Sequence, residues 1–145
     1  MLKDDHRKVK NLFARYESAR NFTTRQEVAE QVFAELETHA LLEEKIFYPA
    51  YEARAGKQGT QLVAESRLEH ESVKDLMREL RDLDIADEAF ETLFSELMDT
   101  VQHHVEAEES AMFPAAAQML ADQLEALLDE MRALKAQGTT SKTVG

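Results

Sequence analysis

The chain has 145 residues, no cysteine and a formal net charge of −12. That length fits one domain that buries a core without staples, and the missing thiols exclude disulfides, thiolate metal sites and cysteine nucleophiles. The acidic balance opposes nucleic acid or an anionic membrane as partner; no apolar run nears the ~20 residues of a membrane span, and the first five residues are no signal peptide, so a cytoplasmic location is expected.

Only four glycines and two prolines occur, amid abundant Ala, Leu, Glu, Lys and Arg, which predicts an all-α protein. A first helix is expected from about Leu2 to Arg20, with Leu2, His6, Val9, Phe13 and Tyr16 at helical spacing. Residues 21–23 read as a turn. Thr24-Arg25-Gln26-Glu27 has the capping-box pattern that opens a second helix. That helix carries Val28, Val32, Leu36, His39, Glu43, Ile46, Phe47 and Ala50 along one stripe. Gly56 to Gly59 breaks the chain, and Thr60 is placed to cap a third helix with Val63, His70, Val73, Met77 and Leu80 inward. After a turn at 84–87, a fourth helix presents Phe90, Phe94, Leu97, Val101, His104, Glu108, Met112 and Ala115 on one face. A shorter amphipathic segment follows from about Asp122 to Ala136. Gly138 reads as its stop and 138–145 as a flexible tail. Four helices of similar length joined by short turns predict an antiparallel up-down-up-down four-helix bundle, with the fifth, short C-terminal helix packed along its outside.

One unit occurs twice. His39-x-x-x-Glu43-Glu44 has Pro49 ten residues after the histidine, and His104-x-x-x-Glu108-Glu109 has Pro114 at the same distance. Each is preceded by another histidine, Asp5-His6-Arg7 and Glu69-His70-Glu71. The offset is 64 residues at the first histidine (6 to 70) and 65 at the second (39 to 104). The bundle should therefore have approximate internal twofold symmetry. Pro49 and Pro114 fall inside predicted helices, where proline kinks or ends the element; the repeat leaves both readings open.

Histidine and glutamate four apart share a helix face, so His39 with Glu43, and His104 with Glu108, can approach one ion together. All six candidates, His6, His39, Glu43, His70, His104 and Glu108, lie on apolar stripes. Burying two carboxylates and four imidazoles without compensation is costly, and a metal centre resolves that cost. Nitrogen and oxygen donors suit iron, manganese or zinc. His103, about 100° around the helix from His104, aligns with Thr38 and reads as a flanking residue. Glu44 and Glu109 read as solvated charges or as partners that orient a ligand. The aromatic and methionine positions Phe47, Phe90, Phe94, Met77 and Met112 read as core.

At these residues the chain resembles the hemerythrin-like family, in its histidine-histidine-glutamate (HHE) cation-binding branch, over roughly residues 2–120. The resemblance implies a hemerythrin-like di-metal bundle over 1–120, leaving 121–137 as an accessory helix. It implies two non-haem iron ions with an oxo or hydroxo bridge. His6 and His39 would bind one, His70 and His104 the other, and Glu43 and Glu108 would bridge them. Oxygen-carrying hemerythrins have a fifth histidine one turn after the third ligand, where this chain has Lys74. They also use an aspartate at i+5, where this chain has Glu108 at i+4. Both departures point away from reversible oxygen carriage. Counting about five ligands per iron leaves roughly one open position on each. Tyr16, Tyr48 or Tyr51 could close one, or serve only in packing.

Three functional classes follow. The first is a di-iron protein that reacts with peroxide, O2 or NO, most concretely by catalase-like hydrogen peroxide decomposition. The second is an O2, NO or iron-status sensor or iron-handling protein without turnover, and the third a structural metal site. Enzymatic activity is left open by the sequence, as is the oligomeric state. The small-molecule oxidant is the expected partner. Because His6 lies near the chain start, its half of the centre is expected to fray and to hold metal less tightly.

Overall fold

The computed structural model describes residues 1–144, with side chains as far as Gln137. The elements are α1 (Leu2–Ser18), α2 (Phe22–Leu42), a π-helical turn (Glu43–Phe47), α3 (Tyr48–Arg81), α4 (Glu88–Ala107), a second π turn (Glu108–Met112), α5 (Phe113–Met119) and α6 (Leu124–Val144). No strand occurs among the described residues. The protein is the all-α four-helix bundle read from the pattern, with α1 packed on α2 and α3 on α4. No helix among the described residues is long and apolar enough to cross a membrane.

The boundaries follow local chemistry. The second helix begins at Phe22 rather than after Thr24, because Asn21 supplies the cap: its side-chain oxygen accepts the Thr24 N–H at 2.8 Å. The capping box expected at Thr24 thus lies inside the first turn. Asp87 caps α4 in the same way, accepting the Ala89 N–H at 2.9 Å. The break expected at 56–59 is at Gly56, whose φ of 68° and ψ of −161° divide α3 into two helical pieces. Only glycine holds that conformation without strain. Thr60 does not cap the second piece. Its hydroxyl donates back to the Gly56 carbonyl at 3.0 Å, one turn inside a helix that has already resumed.

Pro49 and Pro114 neither stop nor break their helices. Each sits in the first turn after a π turn, in which the Tyr48 N–H reaches the Glu43 carbonyl and the Phe113 N–H reaches the Glu108 carbonyl. The widened turn shifts the hydrogen-bond register by one residue and accommodates the ring and the missing donor.

Two apolar clusters fill the bundle. One holds Val32, Leu36, Leu80, Phe90, Phe94 and Leu97; the other holds Leu42, Phe47, Tyr48, Val63, Met112 and Leu120. Each fully buried large side chain contributes about 1.5–3 kcal/mol. The last helix joins the second cluster, where Leu127 and Met131 are buried with Leu2 and Phe47. It does not stop at Gly138, since its bounds are Leu124–Val144; glycine within a helix costs about 1 kcal/mol relative to alanine and does not forbid it. The side chains of the tail expected over 138–145 lie outside the described residues.

Gly59 is helical, and a Cβ there would run into the Ala55 side chain and come within 3.1 Å of the Tyr51 ring. Gly59→Ala is therefore expected to destabilise the protein by about 1–3 kcal/mol, against the gain of up to about 1 kcal/mol that this exchange brings in an open helix. Urea unfolding of the variant checks the sign.

Candidate metal centre

His6 comes from α1, His39 from α2, His70 from α3 and His104 from α4, while Glu43 and Glu108 open the two π turns. All six are buried. The structure brings them together in two overlapping groups, His6, His39, Glu43 and Glu108 in one and Glu43, His70 and His104 in the other.

The imidazoles pair within each repeat. The Nε2 atoms of His6 and His39 are 3.1 Å apart, as are those of His70 and His104, and the ring centroids are 4.7 Å apart in both pairs. Each carboxylate spans the two pairs. Glu43 Oε1 lies 3.3 Å from His39 Nε2, 3.1 Å from His70 Nε2 and 3.5 Å from His104 Nε2. Glu108 Oε1 lies 3.2 Å from His6 Nε2 and 3.4 Å from His104 Nε2.

The outer nitrogens are all engaged. His6 Nδ1–H donates to Glu109 at 2.8 Å, His39 Nδ1–H to Asp5 at 3.1 Å, His70 Nδ1–H to Glu44 at 2.9 Å and His104 Nδ1–H to Glu69 at 2.9 Å. A ring nitrogen facing a carboxylate carries a proton, so each Nδ1 is committed to its outer carboxylate and each Nε2 is the nitrogen turned inward, able to take either a proton or a metal ion. Two lone pairs at 3.1 Å repel unless positive charge lies beside them. Glu43 Oε2 and Glu108 Oε1 are also buried without a hydrogen-bond partner. Inward lone pairs, orphaned carboxylate oxygens and a donor set of nitrogen and oxygen fit a cation.

Two features were open in the sequence. Glu44 and Glu109 are not merely solvated; they grip His70 and His6 of the opposite repeat. Tyr48 alone of the three tyrosines reaches the centre. Its hydroxyl donates to Glu108 Oε2 at 2.7 Å and lies 3.3 Å and 3.4 Å from the Nε2 atoms of His70 and His104. A spacing of five from Glu43 does not share an α-helical face, so only the π turn reveals it. By the repeat its counterpart is Phe113, which stacks on His6 with centroids 5.5 Å apart. The two halves of the centre are thus chemically different. Tyr16 stacks on Phe94 in the first cluster and Tyr51 packs in the second. His103 is exposed and donates to Glu69 at 2.8 Å.

In the metal-free protein, protons supply the charge. Burial lowers the His104 pKa, but Glu108 and Glu43 outweigh it and push it up to about 11. Burial also opposes charge on His39, yet Glu43, Asp5 and Glu108 hold its pKa well above the usual value. Burial raises Glu43, and the neighbouring histidines, His39 foremost, bring it well below the carboxylate range. Burial and the charges of Glu43 and Glu108 raise the Tyr48 phenol, keeping it neutral.

Residues 1–116 match the model of the Hemerythrin HHE cation binding domain. The chain belongs to that family, and the clusters are those of a hemerythrin-like metal-binding domain. Over 119 residues it is 28% identical to an uncharacterized hemerythrin-like protein of Schizosaccharomyces pombe, covering 82% of this chain and 59% of that protein. Over 138 residues it is 28% identical to a DNA nickase of Nostoc sp., covering 94% of this chain and 38% of that one. The chain thus spans less than two thirds of both curated relatives. The crystal structure of a hemerythrin HHE cation binding domain-containing protein from Mycobacterium kansasii superposes with a TM-score of 0.83 at 26% identity, covering 97% of this chain and 85% of that one.

Three outcomes are expected. The raised His39 and His104 pKa values favour the metal-free fold fully below the unfolded value of about 6.5, and that contribution is lost as pH rises through the folded values. Metal competes for the same nitrogens, so uptake at neutral pH should release protons, and affinity should rise with pH; titration in weakly buffered indicator solution measures both. Tyr48→Phe should weaken metal binding by about 10-fold or more, because the hydroxyl holds Glu108 and Glu43 and lies beside His70 and His104, as read by competition with a chelator.

Proposed function

We propose that this chain is a non-haem di-iron protein that reacts with small oxidants, most concretely by catalase-like decomposition of hydrogen peroxide. His6 and His39 would hold one ion, His70 and His104 the other, with Glu43 and Glu108 between them. Tyr48 offers an oxygen to the second ion alone. When bound, the pair supplies reversible electron transfer to and from peroxide.

One observation carries the choice of substrate. A cavity of about 40 Å³ lies against all four histidines, walled mainly by Val9, Leu36, Val73, Met77, Val101 and Val105. About 10–15 Å³ is needed to hold one water, so this space suits a molecule of a few atoms. Its wall sets a mainly apolar surface beside the histidines. Lys74 also lines the cavity and bonds Glu44 at 3.1 Å, which places an exchangeable proton near the oxidant. Disproportionation of peroxide to water and O2 needs no external reductant, so this site requires no second one. The nicking activity named for the Nostoc relative is not carried over, because the net charge of −12 opposes a polyanion.

A binding role without turnover, as an O2, NO or iron-status sensor or in iron handling, is the second reading. The burial of all six groups favours it, since metal loss would pass the charge balance of the buried carboxylates from the ion to protons on the histidines. Oxygen evolution on adding peroxide to the iron-loaded protein decides between them. Steady turnover that falls to background in Glu43→Ala is expected. Full iron occupancy with no oxygen evolution would transfer the assignment to the binding role.

A further inference from the structure

The carboxylates behind the histidines are themselves anchored, and not alike. By the repeat, Asp5 matches Glu69. Glu69 shares its two oxygens between His104 and His103, both on α4. Thr38 stands where the repeat would put a histidine beside His39. Asp5, only 5% exposed, gives Oδ2 to His39 and accepts at Oδ1 from Lys135 Nζ at 3.0 Å. That lysine lies on α6, outside the repeat, 130 residues away in sequence. Its position is set by packing, because Leu127 and Met131, two turns and one turn earlier on the same face, are buried in the cluster that also holds Leu2. The first turn of α1 therefore shares an apolar cluster with α6 and is joined to it by an ion pair.

We propose that Lys135 is a positioning residue for the His6–His39 half of the metal centre, holding Asp5 so that it fixes His39, and thereby coupling the docking of α6 to retention of the ion. This rests on the reading that an ion sits in each half. A carboxylate behind a ligating imidazole fixes ring orientation and raises basicity, and losing such support commonly costs about 10–100-fold in affinity. An anchor one step further out is expected to lie at the low end, about 10-fold. Only one half of the centre is involved, because His70 and His104 draw their support from Glu44 and Glu69 instead.

The test is release of Co²⁺ from the loaded full-length chain into excess chelator, followed by the cobalt absorption. His39→Ala and His70→Ala identify which phase belongs to which half. In Lys135→Met, the His6–His39 phase should be about 10-fold faster and the other unchanged, with helicity by circular dichroism retained. Lys135→Arg should restore the wild-type rate. Should Lys135→Met fold poorly, Lys135→Gln, which keeps much of the stem and loses the charge facing Asp5, should show the same selective acceleration. Unchanged phases, or equal acceleration of both, would overturn the role of Lys135 while leaving the metal sites standing. A wild-type chain that takes up no cobalt or iron would overturn the metal reading itself, and the proposal with it.

Discussion

Four imidazole nitrogens aimed at one another and two carboxylates with buried, unsatisfied oxygens form the waist of this bundle. Without positive charge between them they would repel, and the low-dielectric interior magnifies that repulsion. The rest of the structure follows from this constraint. Apolar clusters flank the centre and keep water out. Every Nδ1–H is tied to a carboxylate, so each inner nitrogen is committed to the cation, whether proton or metal.

The π turns at Glu43 and Glu108 serve the same constraint. Each begins at the glutamate and ends just before a proline-bearing helix. Backbone hydrogen bonding shifts by one residue at the place where a buried carboxylate must reach histidines on other helices. π turns occur frequently at functional sites, and they re-aim side chains without ending the helix. Here the same device brings the Tyr48 hydroxyl to the centre in one repeat, and puts the Phe113 ring against His6 in the other.

Internal duplication makes the two halves similar, and three differences make them unequal. Tyr48 against Phe113 changes the donors available to an ion. Thr38 against His103 changes which side chains share the carboxylate of the preceding helix. The helix α6, which has no counterpart in the repeat, supplies Lys135 to Asp5. An asymmetric centre would offer two ions different coordination, a means by which one ion could take a small ligand while the other is held.

The sequence by itself determined the repeat, which is plain as self-similarity at an offset of 64–65 residues, and the helical class, the bundle and the six inward residues, which rest on short-range periodicity: histidine and glutamate four apart share a face whatever packs against it. The chain breaks at Gly56 and at 84–87 were legible for the same local reason. The cap at Asn21, the helical run through Thr60 and the length of the last helix were less so. Competing cap signals stood within three residues of one another, and a lone glycine does not end a helix that packing extends. The partners of the histidines were decided only by the tertiary structure. Asp5, Glu44, Glu69 and Glu109 each grip a ring on another helix, Tyr48 reaches the centre through a change of helical register, and Lys135 arrives from the last helix. Contacts between helices depend on how faces meet in space, and no periodicity within one helix encodes which neighbour that face will find.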